Sequence, residues 1–211
     1  MYEDLKSKII ILSSPRTGST ALFYDILIFF QKKNINLVQL NEPDIVGYAK
    51  TYAKDKSPIR DSELKNILEN KDFILKVHAR HLETQFPKFV YNYINNNNVS
   101  IIKIKRKDFL AQCLSMHISR HTNNWVCDKE NNRVLEELLI PINENAILNS
   151  IYIAKKYNES LDNIQNYTIC LNYEDCIFDH EQTVKNSKVK NYEDLKNTFQ
   201  NLITEHYGIQ T

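Results

Sequence analysis

The stretch Ile9 to Leu22, IIILSSPRTGSTAL, constrains the fold more than any other part of the chain. An apolar, β-branched run gives way to a polar loop that holds one of only three glycines in 211 residues, and an apolar helix-forming run follows. That order predicts a strand, an anion-cradling turn and a helix N-terminus. Backbone N–H groups that the helix cannot use itself, together with the positive end of its dipole, then converge on one point where an anion is held. The loop departs from the nucleotide triphosphate pattern GxxxxGK[ST], which needs a lysine just before the hydroxyl residue. Here Gly18, Ser19 and Thr20 stand in a turn without lysine, and Arg16 supplies the charge.

Composition limits what the anion is. Lys and Arg total 27 against 26 Asp and Glu, a net charge of +1, which argues against a nucleic-acid binder that relies on broad charge attraction. A small anion in a local basic pocket fits better. The longest apolar stretch, Ala21 to Phe30, is interrupted by Asp25 and falls short of the roughly 20 residues that span a bilayer. The leading MYEDLKSK lacks the apolar region and cleavage pattern of a signal peptide, so the sequence predicts an intracellular, cytoplasmic protein with no membrane span. Cys113, Cys127, Cys170 and Cys176 match no CxxC spacing and read as buried, reduced thiols.

Periodicity places the remaining elements. Helical spacing over Ala21 to Lys33 is followed by a short strand at Asn36 to Leu40, an irregular stretch around Pro43, Gly47 and Pro58, and a helix over Ser62 to Asn70. DFILKVH (Asp72 to His78) reads as a buried strand, Leu82 to Ile94 as a helix that Pro87 starts or kinks, and VSIIKI (Val99 to Ile104) as a further strand. A helix from Asp108 to about Trp125 has Asp108 as its expected cap. Asn143 to Asn163 is a long helix, YTICL (Tyr167 to Leu171) a strand, and Asn191 to His206 a closing helix. Strands alternating with helices predict an α/β fold: one domain over 1–211, a parallel sheet with helices on both faces and ligands at the strands' carboxyl ends.

A second strand, charged turn and helix junction lies at Arg106. Its planar guanidinium suits bidentate pairing with phosphate oxygens, and Ser115 in the following helix has a hydroxyl to donate alongside it. At 100° per residue Gln112, Ser115, Ser119 and Thr122 fall within an arc of about 80°, a polar stripe that periodicity alone reads as solvated surface. Arg106 has its own plain reading as a surface pair with Asp108. Two phosphate-compatible corners on successive halves of one sheet suggest a ligand with two separated anionic groups.

SPRTGST followed by an apolar helix resembles the phosphosulfate-binding loop of sulfotransferases, and RKDFLAQCLSMHISRHTNNW (Arg106 to Trp125) resembles their 3'-phosphate-binding segment. The likeness is greatest to the bacterial trehalose-type sulfotransferases, whose arginine, aspartate, glutamine, serine, threonine and tryptophan correspond in spacing to Arg106, Asp108, Gln112, Ser115, Thr122 and Trp125. NYED after the Tyr167 strand resembles the segment that follows the family's late strand. The resemblance implies a P-loop-like α/β sheet. It also implies 3'-phosphoadenosine 5'-phosphosulfate as donor, no metal, and a hydroxyl of a small molecule or carbohydrate as acceptor. Arg16, Thr17, Gly18, Ser19 and Thr20 would hold the sulfate end and Arg106 with Ser115 the 3'-phosphate. Arg16 would also stabilise charge on the bridging oxygen, a role in which losing one donor typically costs roughly 10²–10³ in rate.

The base is less determined. The trehalose-type family carries Glu-Pro-x-Glu after its first helix, whereas this chain has Glu42, Pro43, Asp44 and Ile45, so the second glutamate, the family's proposed base, is absent. Glu42 matches the first glutamate and Asp44 neighbours the missing one. His78, at the end of the DFILKVH strand, is the other candidate, since an imidazole suits proton transfer at neutral pH. His81 and His117 read as ordinary helix residues, and Trp125 as a core anchor or an adenine stack. Lys76 either neutralises the sulfonate or pairs with a carboxylate. Two other functions are compatible with the motifs: a P-loop kinase-like phosphotransferase, which lacks its loop lysine and a magnesium aspartate, and a non-catalytic nucleotide-binding relic of the fold.

Overall fold

The computed structural model describes residues 2–43, 45, 59–95, 98–122, 139–176 and 189–209. They fall into two compact units, one of Met1–Lys105 with Tyr157–His180 and the other of Arg106–Lys156 with Glu181–Thr211.

The first unit carries a five-stranded sheet in which every described pairing is parallel. Its strands are β1 (Lys8–Ser13), β2 (Val38–Asn41), β3 (Phe73–His78), β4 (Ser100–Lys105) and β5 (Ile169–Asn172), and their order is β2-β3-β1-β4-β5. The alternation of the side chains decides which face each helix covers. Ile9 and Ile11 of β1, Ile74 of β3 and Ile102 of β4 point to one face, where they pack with Leu22, Phe23, Ile26 and Phe30 of α1 (Ser19–Lys32). Ile10 and Leu12, with Phe73, Leu75 and Val77, point to the other. There they meet α2 (Asp61–Asn70), α3 (Ala79–Thr84) and α4 (Lys88–Ile94) through Leu64, Leu68, Leu82 and Val90. Helices therefore lie on both faces of a parallel sheet, the α/β architecture that the sequence predicts. Because the chain runs from β1 to one edge and later crosses to β4 on the other side, the strand order reverses between β1 and β4, the point at which such sheets bind ligands beyond the strands' carboxyl ends.

The predicted helix over Leu82 to Ile94 is two helices. The chain turns at Gln85–Pro87 and Pro87 becomes the cap of α4, where its fixed φ and missing N–H do no harm.

The second unit is helical in its described parts. α5 (Phe109–Thr122), the first turns of α6 (Glu144–Asp162) and α7 (Tyr192–Tyr207) bury Leu114, Ile147, Ile151, Leu195, Phe199 and Ile203 together. Asp108 caps α5 as expected: the Ala111 N–H donates to its carboxylate at 2.8 Å. Asn143 does the same for α6 through Ala146, at 3.1 Å.

Candidate functional site

The loop after β1 is built by buried hydroxyls and two left-handed residues. Ser14 and Thr17 are fully buried, and the Thr17 hydroxyl donates to the Ser14 carbonyl at 2.8 Å. Arg16 (φ 64°) and Gly18 (φ 71°) turn the chain, and Gly18 is the residue before α1, accepting its first helical bond from the Leu22 N–H at 3.1 Å. Glycine at this position has no steric penalty but also no side chain, so the first turn of α1 has no side-chain cap. Nor does that turn contain an acidic residue. That end of the helix, with its N–H donors and the positive end of its dipole, is where the sequence reading places an anion.

Strand β3 brings a lysine to a loop that has Arg16 but no lysine of its own. Lys76 pairs in register with Ile11, so it lies on the same face as α1, and its side chain reaches the first turn of that helix. It is 3% exposed, and its ammonium donates to Thr20 Oγ1 at 2.8 Å, Glu42 Oε1 at 2.5 Å and Asn41 Oδ1 at 3.3 Å. An ammonium has three N–H donors, and three acceptors surround this one. Lys76 thus pairs with a carboxylate, one of the two roles the sequence left open, while its bond to Thr20 sets the same ammonium beside the loop.

Glu42 follows the last residue of β2 and adopts φ 46°, a conformation rarely taken by a residue with a side chain. It is held there by its own N–H donating to the Lys76 carbonyl at 2.9 Å and by the ion pair with the Lys76 ammonium. Both side-chain contacts of Glu42 fall on one oxygen: Lys76 Nζ and His78 Nε2, the latter 3.3 Å away, each face Oε1. Among the described residues Oε2 meets no partner, and the side chain is 30% exposed. Burial opposes ionisation of Glu42, but the charges of His78 and Lys76 outweigh it and hold the carboxyl well below the usual carboxylate range.

His78 is the register partner of Ser13, and its Nδ1 lies 2.9 Å from the Ser13 hydroxyl. Burial pushes the imidazole down to about 4, against the pull of Glu42, so at neutral pH the ring is uncharged. His81 on α3 stands edge-on to His78 with ring centroids 5.2 Å apart, and its Nε2 pairs with the Tyr157 hydroxyl at 2.7 Å. His81 is also pushed down by burial. The reading of His81 as an ordinary helix residue missed this contact with the site; the repeated His-x-x-His at His78 and His81 was the only signal for it.

Arg106 directly follows β4, at the start of the second unit. Ser115 is half-buried on α5, and its carbonyl accepts the Ser119 hydroxyl at 2.8 Å. The stripe it belongs to is not a solvated surface, because Gln112 and Ser119 are fully buried. Cys113 is buried, as expected of the thiols, but Cys170 on β5 is exposed. Asp44, Trp125 and Cys127 lie outside the described residues.

Fold and site together define a class: a parallel α/β protein with a strand-to-helix loop that has no side-chain cap after its central strand, and a lysine–glutamate–histidine cluster against that loop. No protein-family model matches the chain, and no curated protein sequence matches it. Among the described residues, no three His, Cys, Asp or Glu side chains converge as a metal-ligand set, and no helix is long and apolar enough to cross a membrane.

Proposed function

We propose that this protein is a sulfotransferase that moves a sulfuryl group from 3'-phosphoadenosine 5'-phosphosulfate to a hydroxyl of a small molecule or carbohydrate. The observation that carries this reading is the Lys76 ammonium, which binds the hydroxyl of Thr20 at the mouth of the anion loop and the carboxylate of Glu42 at once. It joins the place for a transferable anion to a base. The donor molecule, when bound, supplies an activated sulfate whose leaving group is a phosphate. Residues Arg16 to Thr20 hold the anionic end through backbone and hydroxyl donors, with the guanidinium of Arg16 adding charge where the bridging oxygen becomes negative. Arg106 and Ser115 hold the 3'-phosphate. Glu42 takes the acceptor's hydroxyl proton while the new oxygen–sulfur bond forms and the sulfur–phosphate oxygen bond breaks, its electron pair leaving with the nucleotide.

A P-loop phosphotransferase draws support from the same lysine, since Lys76 brings an ammonium to a loop that lacks its own. Titration separates the two. A sulfotransferase binds 3'-phosphoadenosine 5'-phosphate without added magnesium, whereas a phosphotransferase prefers ATP with magnesium. Transfer of labelled sulfate to a panel of hydroxylated acceptors then decides between enzyme and nucleotide-binding relic. Tight binding of ATP with magnesium and no response to the bisphosphate would remove the sulfotransferase reading.

A further inference from the structure

Two candidates for the base, Glu42 and His78, are neighbours in the structure, and the hydrogen atoms available to them distinguish their roles. Nε2 of His78 faces a carboxylate oxygen at 3.3 Å. A carboxylate beside an ammonium only accepts, and a bare imidazole nitrogen turned toward it would set lone pair against lone pair, so the hydrogen sits on Nε2. A neutral ring carries one N–H, which leaves Nδ1 bare. Opposite Nδ1, at 2.9 Å, is the hydroxyl of Ser13, which is fully buried and has a hydrogen to donate.

We propose that Ser13 and His78 are positioning residues: the Ser13 hydroxyl donates to Nδ1, fixes His78 as the Nε2–H tautomer, and turns that N–H onto Oε1 of Glu42. With Oε1 held by Lys76 and His78, the carboxylate is anchored on one side and Oε2 is the oxygen that accepts a proton. His78 is then not the base, because its only lone pair is engaged by a buried hydroxyl that no acceptor molecule reaches. The catalytic consequence rests on the sulfotransferase reading; the tautomer does not.

The test therefore has two arms. In the intact protein at neutral pH, ¹⁵N chemical shifts of the His78 ring are expected to show Nε2 protonated and Nδ1 bare, with the pattern mixing in Ser13→Ala. A wild-type ring with Nδ1 protonated, or with both nitrogens protonated, overturns the proposal whatever the protein catalyses. In the transfer assay, His78→Ala is expected to lower kcat by roughly 10²-fold through misplacement of Glu42, while His78→Gln, which keeps an N–H on that side, stays within about tenfold of wild type. Equal loss in both variants overturns the positioning role and returns the base to His78. A wild-type protein that binds neither nucleotide nor acceptor removes the sulfotransferase reading, and the NMR arm still decides the tautomer.

Discussion

Lys76 is the residue on which the site turns, because its ammonium on β3 ties a hydroxyl of α1 to an amide and a carboxylate at the end of β2. Lys76→Met keeps the length of the side chain and removes the charge. Without that charge, burial of Glu42 is less opposed and its carboxyl moves up toward the ordinary range. A base that must be ionised then loses activity at higher pH, so the acid limb of the pH–rate profile is expected to move to higher pH than in wild type. An acid limb that stays in place or moves down would exclude Glu42 as the group titrating. Arg106→Ala is expected to weaken 3'-phosphoadenosine 5'-phosphate binding by roughly tenfold to a hundredfold, the range for losing hydrogen bonds to a charged group, as read by calorimetry. The family resemblance brought Glu42 forward as a base, residue type and a strand end brought His78, and Lys76 was left between two roles. Their adjacency depends on β2 and β3 pairing in a register that sets Asn41 opposite Lys76, a long-range choice that no local pattern in the sequence contains.

The elements were legible where one period dominates. The runs around Ile9, Phe73 and Ser100 are short, apolar and bounded by turns, and each forms a strand within a residue or two of its expected limits. Asp108 announced its helix because a short carboxylate in front of an apolar run has a specific task there. Asp108→Ala is expected to lower stability by about 1 kcal/mol, measured from the urea midpoint. Gly18→Ala puts a side chain at φ 71° and is expected to cost about 1–2 kcal/mol. Less legible was the segment around Pro87, where helical spacing continues through a residue that starts a new helix. The polar stripe of α5 misled for a different reason: the Ser119 hydroxyl satisfies itself on the Ser115 carbonyl of the preceding turn, at 2.8 Å, and so tolerates burial that spacing assigns to water.

For the molecule as a whole, buried imidazoles make acid the hazard. Burial holds His78 and His117 down to about 4, below the ordinary histidine value, so as pH falls from about 6.5 to 4 the unfolded chain takes up protons that the folded chain refuses. Stability then drops by roughly 1.4 kcal/mol per pH unit for each histidine. Glu42 adds the same sign further down, since its contribution is present above the ordinary carboxylate range and is lost as pH falls through its depressed value. Urea midpoints at several pH values between 7 and 4.5 are expected to fall steadily, and less steeply in His117→Gln. An unchanged midpoint over that window would mean that neither ring is held neutral.

Strand β1 is hydrogen-bonded to β3 on one side and β4 on the other, and Ile9 to Leu12 have no exposed surface. Its amide hydrogens can reach solvent only when the sheet comes apart, so they are expected to exchange last. The loop proposed to hold the anion starts at Ser14, the residue after this strand. A ligand seated there that releases on unfolding should slow exchange across β1, β3 and β4 together, by about 2.7 kcal/mol at a hundredfold excess over Kd. Deuterium uptake would thus report occupancy of the loop from the buried centre of the sheet.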